Sequence, residues 1–192
     1  MPHALAGRLN DLLADCPIIA AAKNEEGLQA ALSSDCRILF LLFGSICSIG
    51  SLTEQVSAAG KRVFVHADLI DGLANRDISA DFLAGSTAAD GLISTKPSLI
   101  RRAHTLGLCT VQRFFVIDSM ALENVQRQLP QTRPDIVEIL PGVMPKVLRR
   151  ITASTHVPVI AGGLIADKED ILTALDAGAA AISSTDRAVW FL

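Results

Sequence analysis

Eight short apolar runs recur along this chain with helical signals between them, and that alternation limits the fold more than any other feature. The runs are Pro17 to Ala21, Arg37 to Phe43, Arg62 to His66, Asp90 to Ser94, Cys109 to Arg113, Asp135 to Ile139, Val157 to Ala161 and Ala179 to Ser184. They are rich in Ile and Val and almost free of charge until their last residues. Strands of a parallel sheet buried on both faces have this character. A chain that is 50% hydrophobic and 19% charged has the apolar surface such a sheet needs.

Helix signals separate the runs. Ser51-Leu-Thr-Glu54 has the form of a capping box and predicts a helix that Gly60 closes. Pro97 opens a second helix with Leu99, Ile100, Ala103 and Leu106 on one face and Gly107 as its C-terminal stop. Val143, Val147, Leu148 and Ile151 make an apolar face opposite Lys146, Arg149 and Arg150, and Asp167 caps a helix carrying Ile171, Leu172 and Leu175 that ends at Gly178.

Eight strand–helix alternations fit a closed (β/α)8 barrel or a doubly wound open sheet. The polar residues favour the barrel. An open sheet concentrates its chemistry at one switch point, whereas here nearly every strand brings a polar residue to its C-terminal end. The expectation is a compact (β/α)8 TIM-like barrel forming a single domain over residues 1–192. Residues 1–16 serve as a helical lead-in, and one helix is reduced to fit the short chain.

Several function classes are disfavoured. No apolar run approaches the roughly 20 residues of a membrane span, and the first residues read as a helix rather than a signal peptide, so the expected location is the cytoplasm. Cys16, Cys36, Cys47 and Cys109 form no C-x-x-C pair and no cluster with metal-ligand spacing, so they are read as buried free thiols, with neither metal nor cofactor expected. A net charge of −3 lacks the overall basic footprint of a dedicated nucleic-acid binder.

The candidate site lies at the C-terminal strand ends. In VIAGGLIADKED, Gly162 and Gly163 let the backbone approach a ligand, and Ser183, Ser184 and Thr185 can lead into a short helix whose N–H groups face an anion. These five residues make a phosphate site, unless the glycines serve only a tight turn. Lys23, His66, Asp68, Lys96, Arg113 and Glu138 are candidate polar contacts. His66 and Asp68 share a face if their strand continues, and buried Glu138 needs a cation, with Arg113 and Lys96 as candidates. Lys23 or Lys96 with Asp68 or Glu138 would also suit an isomerase, aldolase or lyase working on a small phosphorylated substrate.

The segments PIIAAAKN, ILFLLFGSICSIG, VFVHADLIDGL, GLISTKPSLI, TVQRFF, EILPGVMPKV and PVIAGGLI resemble the glycerol-3-phosphate-responsive transcription antiterminators, regulators of glycerol uptake operons. The resemblance runs from about Pro17 to Thr185. It implies a regulator rather than an enzyme: a barrel that senses glycerol 3-phosphate and binds leader mRNA so that transcription passes a terminator. On that reading RNA meets a local basic patch, either Lys146, Arg149 and Arg150 or Arg101, Arg102 and His104, and a homodimer would join two such faces.

Overall fold

The computed structural model describes residues 6–192. Its strands are β1 (Ile18–Ala22), β2 (Ile38–Leu41), β3 (Arg62–His66), β4 (Gly91–Ser94), β5 (Cys109–Phe115), β6 (Ile136–Leu140), β7 (Val159–Gly162) and β8 (Ala181–Ser184). They pair in parallel in sequence order, and β1 pairs with β8 to close the barrel. The helices are α1 (Ala6–Asp15), α2 (Glu25–Ser33), α3 (Ile49–Ala58), α4 (Asp77–Ser86), α5 (Pro97–Leu106), α6 (Ser119–Thr132), α7 (Pro145–Thr152) and α8 (Lys168–Asp176). The protein is a (β/α)8 barrel.

The reduced helix follows β8, where only a four-residue 3-10 turn, Ala188–Phe191, takes the place of a helix. Of the lead-in, α1 covers Ala6–Asp15, and residues 1–5 lie outside the described residues. Leu9 and Leu13 of α1 are buried in the same cluster as Ile19, Phe40, Phe64, Val111 and Ile160. The lead-in therefore packs into the barrel interior.

Two cores divide the burial by strand parity. Residues facing outward on the strands, such as Leu39, Val65, Leu92, Val137 and Ile182, pack under the helices. Residues of the other parity fill the barrel. Gly91 is required there, because a Cβ on it would stand 2.4 Å from the Phe64 ring. The same parity carried one step further up the strands reaches Ala21, Leu42, His66, Arg113, Glu138, Gly162 and Ser183, so on β3, β5, β6 and β8 the barrel's top layer is polar where the lower layers are apolar.

Some expectations need correction. Helix α3 starts at Ile49, two residues before the proposed capping box, and Ser51 lies in its first turn with its hydroxyl donating to the Ser48 carbonyl. Ser48, at the cap position, has its hydroxyl taken by the Ser45 amide. Leu172 is exposed, Ile171 and Ala174 carry the buried face of α8, and Val143 is exposed ahead of α7. Of the thiols, Cys36 and Cys109 are buried, whereas Cys16 is half-buried and Cys47 exposed.

Candidate functional site

A pocket of about 370 Å³ opens at the C-terminal end of the barrel. Its lining comes from Arg113 of β5, Glu138 and Leu140 of β6, residues 163–166 after β7, and residues 183–186 at the end of β8, with Ala21 and Leu42 completing it. Neither β3 nor β4 contributes.

The centre of the lining is a buried ion pair. Arg113 Nε donates to Glu138 Oε2 at 2.6 Å, with the two side chains 8% and 1% exposed. Ser183 Oγ donates to the other carboxylate oxygen at 2.6 Å. Of the two cations foreseen for Glu138, then, Arg113 is the partner. A buried carboxylate must be paired in this way or lose its charge. Among the described residues the Arg113 side chain makes no other hydrogen bond, so its terminal guanidinium nitrogens keep donors for a ligand.

The two glycines divide their roles. A Cβ on Gly162 would meet Ser183 Oγ at 2.6 Å and Glu138 Oε1 at 2.7 Å, so its missing side chain makes room for that carboxylate and hydroxyl rather than for a ligand. Gly163 lines the pocket with φ +73 and is followed by Leu164, itself left-handed at φ +63. Leu164 is also 73% exposed. A left-handed leucine that leaves its side chain in water is unfavourable on both counts, a pattern that clusters at ligand-binding loops. The loop is anchored from beneath, because Ser184 Oγ donates to the Ile165 carbonyl at 2.7 Å.

The end of β8 differs from expectation. No helix starts directly at Ser183–Thr185. The 3-10 turn begins at Ala188, and the Asp186 carboxylate already accepts from its first amide at 2.9 Å. The Asp186 amide in turn donates to Ser184 Oγ. Both serine hydroxyls are thus engaged within the protein, while exposed Thr185 lines the pocket with no such tie among the described residues.

The remaining candidates lie elsewhere. Lys23 and Lys96 are exposed and outside the pocket lining. No hydrogen bond joins His66 and Asp68 among the described residues: β3 stops at His66 and a 3-10 turn, Ala67–Leu69, swings Asp68 toward β4. There the carboxylate accepts from Ser94 Oγ at 2.5 Å, Thr95 N at 2.8 Å and Thr95 Oγ1 at 2.7 Å. Burial opposes its charge, but these donors outweigh it and hold its pKa below the ordinary value. His66 is buried with Nδ1 unpartnered among the described residues, and burial, with the Arg113 charge nearby, lowers it to about 4. It is therefore neutral at physiological pH.

Of the basic patches, Lys146, Arg149 and Arg150 are exposed on α7, at spacings that share one face, and none forms an ion pair with a described residue. Arg102 is instead tied to Asp81 through Nε at 3.1 Å and through Nη2, leaving Arg101 exposed beside it. Asp186 and the 164–166 loop were missed by sequence reading. The left-handed pair 163–164 left no mark there, since only its first member is a glycine.

With fold and pocket described, comparison with other proteins places the chain. It belongs to the family described as glycerol-3-phosphate responsive antiterminator, which it matches over residues 18–190. It is 42% identical over 181 residues to the uncharacterized protein YgcP of Escherichia coli (strain K12), covering 94% of this chain and 95% of that one. Among solved structures it is similar to a glycerol uptake operon antiterminator regulatory protein from Listeria monocytogenes str. 4b F2365, at 35% identity and a TM-score of 0.87, covering 90% of this chain and 94% of that one. A glycerol uptake operon antiterminator-related protein from Thermotoga maritima MSB8 is 32% identical, with a TM-score of 0.79 and coverage of 91% and 98%.

Proposed function

We propose that this protein senses glycerol 3-phosphate in the pocket between β5 and β8 and, in response, binds operon leader mRNA to promote antitermination. The observation that carries the reading is the pocket itself: a volume within the roughly 300–1,000 Å³ of small-molecule sites, an arginine with unspent donors, and a left-handed glycine loop. The ligand's phosphate would sit between the 163–166 loop and Thr185, within reach of Arg113. Its hydroxyls would meet Glu138 and the Arg113 side of the network. Glu138 and Asp186 also line the pocket, and Arg113 is its one cation among the described residues, so affinity depends on it.

Family membership supports the regulator over the enzyme considered from sequence, and so does the site. Lys23, Lys96 and Asp68, three of the four acid–base candidates, are not in the pocket lining. For RNA, α7 is the better face, because it follows β6 directly and its three cations form no ion pair with a described residue. A second copy would double that modest patch.

The test is calorimetric titration with glycerol 3-phosphate, followed by binding to the leader RNA of its operon, with and without that ligand at fixed salt. Ligand-dependent RNA binding is expected; RNA binding that ignores the ligand defeats the proposal. Gly163→Asp, which puts a carboxylate into the pocket at a backbone conformation Asp tolerates, is expected to abolish ligand binding while the far-UV circular dichroism stays unchanged. Steady turnover of a triose or glycerol phosphate would favour the enzyme instead.

A further inference from the structure

A second cavity, of about 640 Å³, lies at the opposite end of the barrel from the ligand pocket, where α6 ends and β7 begins. Gln126, Leu129, Pro130 and Arg133 form one wall, at the spacing of a single helix face, and residues 154–157 form the other. Leu129, Pro134 and Val157 give the groove an apolar floor. Its rim carries Arg133 and His156, both exposed, and neither side chain forms a hydrogen bond or ion pair among the described residues. No carboxylate lines the groove among those residues. Asp135, next in the chain, is turned to β5, where it accepts from Thr110 N and Oγ1, each at 2.8 Å, and Glu123 lies a turn further along α6, outside the lining.

Local structure sets these groups in place. Arg133 caps the end of α6 with a left-handed backbone, φ +47 and ψ +56. Such a position ordinarily favours glycine, because a side chain there is unfavourable. An arginine that bears this cost, exposed over a cavity and unpaired, is accounted for by something its guanidinium binds. Pro130, inside α6, has no N–H to return to the Gln126 carbonyl, which frees an acceptor at the groove's edge. The opposite wall is fixed by its own hydroxyls: Ser154 Oγ donates to the Ile151 carbonyl at 2.9 Å, and Thr155 Oγ1 accepts from the Val157 amide at 3.1 Å. The uncommitted polar side chains on the rim are then Arg133 and His156.

We propose that this groove seats one unpaired nucleotide of the RNA, with its base on the apolar floor against His156 and its phosphate on Arg133. The inference rests on the RNA reading above and gives it a built site beyond the surface of α7. An apolar floor suits a base, an imidazole at its edge supplies a stacking face, and a guanidinium takes a phosphate, while a lining without acids leaves the phosphate unopposed. Helix α7 runs from the ligand-pocket end of the barrel to this groove, and exposed Arg149 and Arg150 stand in its last turn, just before residues 154–157. A strand leaving the groove would cross those two charges next. Both walls also lead back to the ligand pocket: β6 starts two residues after Pro134 and carries Glu138, and β7 starts two residues after Val157 and runs into Gly163.

The test is filter binding of single-stranded leader RNA to the full chain at several salt concentrations, with glycerol 3-phosphate present. Arg133→Gly is expected to fold with an unchanged or higher melting temperature, because glycine relieves the left-handed backbone, and yet to lower the salt dependence of binding by about one unit of slope. His156→Ala should weaken binding at least about fivefold at each salt concentration, and a duplex of the same sequence, which offers no unpaired base, should bind this variant and the parent alike. Calorimetry should show both variants taking glycerol 3-phosphate as the parent does, which separates an effect at the groove from one at the ligand pocket. An unchanged slope for Arg133→Gly, or parent affinity for the single strand in His156→Ala, overturns the proposal and leaves the RNA reading standing. A parent chain that binds no leader RNA removes both.

Discussion

The two sides of the barrel mouth are built from similar residues used in opposite ways. On the β3–β4 side an acid, Asp68, accepts three hydrogen bonds from Ser94 and Thr95, and a base, His66, is buried with Nδ1 unpartnered among the described residues. On the β5–β8 side the acid, Glu138, accepts from Arg113 and Ser183, but Arg113 spends only Nε on it. The first arrangement has its carboxylate satisfied and its imidazole neutral, and it borders no part of the pocket. The second leaves charged donors facing an open volume. A polar residue at a strand end becomes a site only when its neighbours leave some of its capacity unspent.

The contrast can be broken experimentally. The largest effect is expected from Glu138→Ala, which strands the Arg113 charge in a buried position and should cost about 3–5 kcal/mol in urea denaturation. Asp68→Ala, which deprives hydroxyl and amide donors of an acceptor near solvent, should cost about 1–3 kcal/mol. Equal costs for the two would erase the distinction between a paired charge and a capped one.

Next comes Gly162→Ala. Its Cβ would intrude on Ser183 Oγ and Glu138 Oε1, so about 1–3 kcal/mol of stability should be lost through overpacking. Glycerol 3-phosphate affinity should fall with it, since Arg113 loses its anchor, and calorimetry of this variant reads both effects. A variant that keeps full affinity would separate the ion pair from the pocket.

A smaller, pH-dependent effect belongs to His66. Its folded pKa of about 4 lies below the ordinary 6.5, so the unfolded chain binds the extra proton first as pH falls. The native state is therefore fully favoured above about pH 6.5 and loses stability between there and about pH 4. His66→Gln should flatten that part of the stability–pH curve, measured by denaturation at several pH values. An unchanged curve would mean that His66 is not the group that titrates.

The smallest change in stability is expected at α7. Lys146→Ala, Arg149→Ala and Arg150→Ala should each stay within about 0.5 kcal/mol of the parent. Each that meets a phosphate should instead lower the salt dependence of RNA binding by about one unit of slope, checked by filter binding across salt concentrations. The same slope for all three would move the RNA face off α7.

Much of this barrel was legible in the chain because its strands are buried on both faces and so carry an unbroken apolar signal. Gly107 and Asp167 act at the helix ends where they were expected, Gly107 at φ +83 and Asp167 accepting from the Asp170 amide. The start of α3 was misread, because the pairing of Ser45 with Ser48 that sets it lies in a loop without periodicity. At the site, Glu138 stood out as a carboxylate inside an apolar run, and the need for a buried charge to be paired pointed to Arg113 or Lys96; the structure chose Arg113. Lys23 and Lys96 gave equally good sequence signals and remain in solvent, because a position at a strand end does not specify which way a long flexible side chain goes.

By itself, then, the sequence determined the alternation, the parallel sheet and the polar residues gathered at one set of strand ends, since these follow from local periodicity and from the cost of burying charge. Only the tertiary structure decided that Gly162 makes room for Glu138 and that Asp68 turns to β4. Each of these depends on strands brought together by barrel closure, and no local pattern in the chain records which side chains will then be in contact.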